Sequence, residues 1–224
     1  MHVTLVIPAK GVSERVKNKN LYRIDGKTLV RLACEKALRC KNVNAVYIDT
    51  ESEAILQDVS ELFAKGLKII KRPKEFSNNF IGANEMMVYA LHSIEETDLI
   101  CQTFSTSPMI THNTIDRCIA EFLESKSHDS FFTVTPVQEY FWDEKGKPIN
   151  FDPDVLPNSF ELPKMHMETH GLYGIKTEAL LKAKTRIGSA PLLIEINRNE
   201  ALDIDDADDI VLLNKIYEGS SYEN

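Results

Sequence analysis

Near the C-terminal end of the chain, LDIDDADD (202–209) sets Asp203 and Asp205 two residues apart, shortly after the apolar run LLIEI (192–196). On an extended backbone, residues i and i+2 point to the same side. Two carboxylates on one side suit Mg²⁺, which prefers hard oxygen ligands and completes its octahedron with water and substrate phosphates. Asp206, Asp208 and Asp209 read as the opening of a helix whose dipole favours negative charge at its start, a reading that the residues alone leave open for Asp203 and Asp205 too. At the other end of the chain, PAKGVSERVKNKN (8–20) places Lys10, Arg15, Lys17 and Lys19 within ten residues. Gly11 lets the backbone approach a ligand closely, and Ser13 adds a hydroxyl donor. Such a loop suits either a polyphosphate or a solvated basic surface, and neither GxxxxGK[ST] nor GxGxxG is present to decide.

Other candidates are more ambiguous. Arg72 follows a short apolar run and can meet either a nucleotide or Glu75, while Asp49 reads as a helix cap. Asn84 and Gln102 are amides suited to a pyrimidine edge or to sugar hydroxyls. Lys164 is a cation available to a substrate carboxylate. His166 and His170 lack the further ligands that zinc requires, and no GxSxG elbow exists for a serine hydrolase. Cys34, Cys40, Cys101 and Cys118 form no CxxC pair and read as reduced thiols, three of them within apolar patterns.

These groups need a scaffold, and the apolar pattern describes one. Compact runs at 3–7, 45–49, 67–70, 98–104, 130–137, 170–175 and 192–196 read as strands. Between them, helical periodicity covers 28–39, a segment through Phe63, 83–94, 113–123, 177–184 and 206–217, with Thr50 or Ser52 and Thr111 or Asn113 as candidate caps. Strands alternating with helices imply right-handed crossovers and a mostly parallel sheet, with ligands at the carboxyl ends of its strands. The 224 residues fit one α/β domain with an excursion at about 137–168, where Pro136 to Pro163 inclusive count five prolines and DEKGKP suggests a turn. The net charge of −8 argues against a nucleic-acid partner, and no apolar run is long enough to span a membrane. The expected location is cytoplasmic.

IPAKGVSERVKNKNL (7–21) resembles the first signature of the acylneuraminate and Kdo cytidylyltransferases. VYIDTESEAI (46–55), RPKEF (72–76), TSP (106–108) and EALDIDDADD (200–209) are similar to further blocks of that family, in the same order. The resemblance spans about residues 3–217 and is weakest in the excursion. It implies a three-layer, Rossmann-like nucleotidyltransferase fold with a protruding dimerisation arm, hence a homodimer. It also implies a reaction in which CMP passes from CTP to the anomeric hydroxyl of a sialic-acid-like nonulosonic acid, with Mg²⁺ on Asp203 and Asp205. Nucleotide-binding roles then fall on Lys10, Ser13, Arg15, Lys19 and Asn20, with Arg15 and Lys19 counted as catalytic beside the two aspartates. Arg72 and Asn84 join the nucleotide side. Gln102, Lys164, His170 and Tyr173 fall on the sugar side.

The chain departs from the family pattern at several places. Lys10 stands where Arg is usual, Glu14 where the sialic-acid branch has Lys, and Arg15 where that branch has Gly. The S-x-R order is similar to the Kdo branch, and Phe104 replaces a Gln before T-S-P. These departures keep three alternatives open: a CMP-Kdo synthetase, an enzyme activating another acid such as a phosphonate, and an inactive nucleotide-binding homologue.

Overall fold

The computed structural model describes residues 1–13, 16–77 and 81–219. Its first strand, β1 (Val3–Pro8), shows why the fold is layered. Val3, Leu5 and Ile7 join one apolar cluster and Val6 joins another, so both faces of the strand are covered. A two-strand hairpin, β2 (Arg23–Ile24) and β3 (Lys27–Thr28), leads into α1 (Leu29–Arg39). There follow β4 (Ala45–Thr50), α2 (Glu53–Asp58), β5 (Leu67–Lys71), α3 (Ala83–His92), β6 (Leu99–Gln102), α4 (His112–Glu124) and β7 (Ser130–Val137). After the excursion come β8 (Met165–Lys176), α5 (Thr177–Ala183), β9 (Pro191–Glu195) and α6 (Ala207–Gly219).

Seven strands form one sheet in the order β5-β4-β1-β6-β8-β7-β9. β1 pairs in parallel with β4 and β6, β4 with β5, and β7 with β9. β8 runs antiparallel to both of its neighbours, so the sheet is mostly parallel with one reversed strand. Helices α1, α2 and α4 cover one face, α3 and α5 the other, and α6 packs on a third cluster with Ile24, Leu29 and Met109.

Local chemistry sets the boundaries. The Ser52 hydroxyl accepts from the Ile55 N–H at the start of α2, and that of Thr111 from Thr114 at the start of α4. The helix expected through Phe63 stops at Asp58 and continues as a 3-10 helix over Ser60–Lys65, closed by Gly66 at φ 100°. Gly174 permits a close crossing: a Cβ there would lie 2.0 Å from Phe131 Cε1. All four cysteines are buried free thiols.

The excursion is shorter than the sequence suggests. Residues 165–168, expected in the arm, are already strand, and Glu168 pairs with Val134. The remainder carries the anticipated turn, with the Asp143 N–H donating to Lys147 O at 2.8 Å. Among the described residues, no helix is long and apolar enough to cross a membrane.

Candidate functional site

The first loop leaves β1 at its carboxyl end, and neighbours on the next strand hold it there. Ala9 N–H donates to Asp49 O at 2.9 Å, and Gly11 N–H to Glu51 Oε1 at 2.7 Å. A Cβ on Gly11 would meet Ser52 Cβ at 2.8 Å, so this approach requires glycine. Lys10, Ser13, Lys19 and Asn20 then line one side of a pocket of about 330 Å³. Asn20 is buried there as a staple: its amide nitrogen donates to Lys10 O at 2.7 Å, and its oxygen accepts from Ser105 Oγ at 2.6 Å. Arg15 lies outside the described residues.

The rest of the lining comes from the segment between β5 and α3, from α3 itself, and from the end of β6 with the loop after it. Arg72, Gln102, Phe104, Ser105 and Thr106 give it polar character, while Phe76, Ile81, Ala83 and Met86 make one part of it apolar. A lining that combines Lys10, Lys19 and Arg72 with an apolar part suits a ligand with a phosphate end and a planar end. Arg72 meets Asp49 rather than Glu75: Nε donates to Oδ1 at 3.0 Å and Nη2 to Oδ2 at 2.8 Å, with both side chains buried. Asp49 is therefore the partner of Arg72, in place of the helix-cap role expected of it.

The acidic segment closes the site. Ile204 N–H donates to Thr106 O at 2.8 Å and pins residues 203–205 to the loop after β6. Lys19 Nζ donates to Ile204 O at 2.5 Å and lies 3.6 Å from Asp205 Oδ1. Asp203 Oδ2 lies 2.9 Å from His170 Nδ1. Burial disfavours the charge on Asp203, but His170, the Thr106 hydroxyl and the Lys19 charge outweigh it and hold its carboxyl below the usual range. The hydrogen bond to Asp203 raises the pKa of His170, against burial, and Asp205 adds to the rise. The charges of both aspartates thus bear on one imidazole, a role the sequence did not suggest.

The donor set fits Mg²⁺. Asp203 Oδ1 is buried without a hydrogen-bond partner, and Asp205 supplies a second hard oxygen donor nearby. Among the described residues no three His, Cys, Asp or Glu side chains group as a metal cage, so the remaining ligands would be water and substrate phosphate. Asp206 and Asp209 instead accept backbone N–H groups at the start of α6, as read from the sequence.

Of the other expected residues, Asn84, Lys164 and Tyr173 do not line this pocket, and Gln102 does. Asn84 is exposed on α3, where its oxygen accepts from Arg186 N–H at 2.9 Å. Lys164 is exposed just before β8. Tyr173 is fully buried, and its hydroxyl donates to Glu168 Oε1 at 2.5 Å. Gln102 lines the pocket, and its Oε1 is buried without a partner.

Two features were not anticipated from the sequence. The Arg186 guanidinium lies 3.8 Å over the Tyr173 ring, and Tyr173 in turn meets Phe104 edge-on at 6.2 Å. Only a lone Arg in a loop marked it. Further, among the described residues the buried side-chain oxygens without partners are Glu51 Oε2, Gln102 Oε1, Ser107 Oγ and Asp203 Oδ1. Glu51 follows β4, Gln102 ends β6, Ser107 follows it, and Asp203 is tied to Thr106. Each unsatisfied buried polar group costs about 1–3 kcal/mol. Their concentration at one end of the sheet marks where a polar ligand would be stabilising.

The model of the family described as Cytidylyltransferase matches residues 4–150. The chain is 22% identical over 221 residues to pseudaminic acid cytidylyltransferase of Campylobacter jejuni, covering 95% of this chain and 94% of that protein. It is 24% identical over 211 residues to N-acylneuraminate cytidylyltransferase A of Danio rerio, covering 91% of this chain and 48% of the relative. A solved structure of CMP:2-keto-3-deoxy-manno-octonic acid synthetase complexed with CTP superposes with a TM-score of 0.70 at 16% identity. That superposition covers 98% of this chain and 99% of the other, and it shows a shared fold.

Proposed function

Because the chain belongs to the cytidylyltransferase family, we propose that it transfers CMP from CTP to the anomeric hydroxyl of a nonulosonic acid. The observation that carries this reading is a pocket lined by Lys10, Lys19 and Arg72 together with an apolar part, with the unpartnered buried oxygen of Gln102 in its wall and that of Asp203 on a residue bonded to the lining Thr106. The relatives named above support the class of acceptor.

In the reaction, the anomeric oxygen bonds to the α-phosphorus of CTP, the bond from that phosphorus to the β-bridging oxygen breaks, and pyrophosphate leaves. The hydroxyl proton passes to solvent. Lys10 and Lys19 neutralise phosphate charge, and Asn20 ties the Lys10 backbone to Ser105 in the loop after β6. Phe76, Ile81 and Met86 offer the base an apolar slot. Asp203 and Asp205 would hold Mg²⁺, which when bound supplies Lewis-acid polarisation and further charge neutralisation. His170 keeps Asp203 ionised and oriented.

A sugar acid also needs a cation for its carboxylate. Lys164 was the sequence candidate, but Arg186 is better placed, half-sheltered on the Tyr173 ring and held at 3.5 Å by Glu168. Replacing Arg186 with methionine is expected to raise the KM for the acid about 10- to 100-fold, the worth of one charged hydrogen bond, with the KM for CTP unchanged. Equal KM values for wild type and variant would remove Arg186 from the site.

The same reading makes the enzyme a cytoplasmic homodimer. The excursion exposes Trp142 at 53%, Leu156 at 64% and Phe160 at 75%, an apolar surface suited to a second copy.

The test is pyrophosphate release from CTP and Mg²⁺ against pseudaminic, sialic, legionaminic and Kdo acids, with a phosphonate as a further acceptor. Turnover with one nonulosonic acid is the expected result. Turnover only with Kdo or the phosphonate would reassign the acceptor. CTP binding without release from any acid would mean a nucleotide-binding protein without transferase activity.

A further inference from the structure

Lys36 plays no part in the reaction above, yet it is among the most deeply placed cations of the chain. It lies on the inner face of α1, 8% exposed, between Ala33 and Ala37 in a helix whose other buried residues are apolar. Its ammonium donates to Pro108 O at 2.6 Å and to Ile110 O at 2.9 Å. Both carbonyls belong to the segment that follows β6. A few residues earlier, that segment forms the pocket wall at Phe104, Ser105 and Thr106, and Thr106 O receives the Ile204 N–H between the two aspartates. A buried ammonium is costly unless its donors are satisfied, so it tolerates few alternative positions for that segment.

We propose that Lys36 is a positioning residue whose charge locks the loop after β6, and through Thr106 the acidic pair, into the arrangement that receives the nucleotide. This rests on the functional reading above for its consequence, but not for the lock itself.

The surroundings make the lock sensitive to alkali. Burial pushes the Lys36 ammonium down to about 8, opposed by the charge of Glu200, whose carboxylate also accepts the Thr111 N–H at 3.0 Å. The Cys40 thiol also faces it, but burial pushes that group up to about 12, so it stays neutral over the range concerned. Above pH 8 the neutral amine still has two N–H groups for two carbonyls. It loses the charge that makes each bond roughly twice as strong.

The experiment is peptide-resolved amide hydrogen exchange over residues 104–111, as protection relative to intrinsic rates, at pH 7 and pH 9.5. Wild type is expected to lose about tenfold in protection between the two, the worth of the lost charge assistance. Lys36→Met should show the lowered protection at both pH values, and Lys36→Arg, which stays charged, should remain protected at pH 9.5. Unchanged exchange over 3–8 in each variant confirms that the sheet is intact. CTP affinity, measured in parallel, should fall with the protection. Protection in Lys36→Met equal to wild type at pH 7, or no alkaline loss in wild type, overturns the inference. If wild type binds no CTP at pH 7, the nucleotidyl-transfer reading fails, while the exchange data still decide the lock.

Discussion

Replacing Asp203 with asparagine is expected to slow CTP-dependent pyrophosphate release about a thousandfold while leaving the KM for CTP within a few-fold. The asparagine keeps the size of the side chain and an oxygen for His170, so the change isolates the negative charge. Asp203 is the more sheltered of the pair, with 20% of its side chain exposed against 44% for Asp205. Its Oδ1 is the buried oxygen without a partner, whereas Asp205 already has Lys19 nearby. Its charge is also secure: His170 and Lys19 hold the carboxyl below the usual range against the pull of burial, so it is ionised at any working pH. Charge fixed in advance at the reacting centre stabilises the transition state more than the bound substrate, hence a loss in kcat rather than in KM. Asp205→Asn should be milder, because that group is more open to water. A wild-type rate in the Asp203 variant would remove this residue from the chemistry, and a rate order reversed between the two variants would shift the main role to Asp205.

What could be read along the chain was whatever a local pattern encodes. The β7 boundaries agree residue for residue with the apolar run at 130–137, because a buried strand is a short, β-branched stretch with sharp ends. The resemblance to the acylneuraminate and Kdo cytidylyltransferases is likewise borne out by the family match and the relatives. Strand direction is another matter. Nothing in HGLYGI says that β8 runs antiparallel to β6, since alternation is the same either way. The β2–β3 hairpin was missed although Asp25-Gly26 is a strong two-residue turn, because strands two residues long carry no alternation to flank it.

At the site, sequence reasoning named residue types well and partners poorly. Lys19, Asn20, Asp203 and Asp205 do converge, yet the tie that brings them together is Ile204 N–H on Thr106 O, a backbone contact between segments almost a hundred residues apart. In the sequence, Lys36 is one more lysine within a helical pattern. Its neighbours Ala33, Cys34 and Ala37 mark the buried face, but only the fold reveals the two carbonyls above it.

The pairing of Arg72 with Asp49 has the same non-local origin and carries the largest expected effect on stability. Asp49 on β4 pairs with Ile70 on the parallel β5, and Arg72, two residues beyond Ile70, reaches back diagonally to Asp49. Their side chains are 1% and 4% exposed, and removing one partner leaves a buried charge uncompensated. Asp49→Ala and Arg72→Ala should each cost about 3–5 kcal/mol in urea unfolding at pH 7, a large share of a typical domain's stability. The double variant should cost clearly less than the sum, because each single change already includes the penalty for the stranded partner.

The two single variants differ in their response to acid. Burial pushes the Asp49 carboxyl up, with Glu51 adding to it, while Arg72 pulls it down. Without Arg72 the folded-state pKa rises further above its unfolded value, so the folded protein binds more protons than the unfolded chain across that window. Stability then increases as pH falls through it. Arg72→Ala should therefore regain stability relative to wild type as pH falls below 7 and Asp49 takes up its proton, whereas Asp49→Ala should not. Losses below about 1 kcal/mol in both variants, typical of exposed pairs, would mean that water reaches the pair. Parallel pH profiles would mean that Asp49 keeps its charge without Arg72. Since Arg72 also lines the pocket, the nucleotide would in the first case meet a hydrated guanidinium and in the second a wall that holds its shape without the pair.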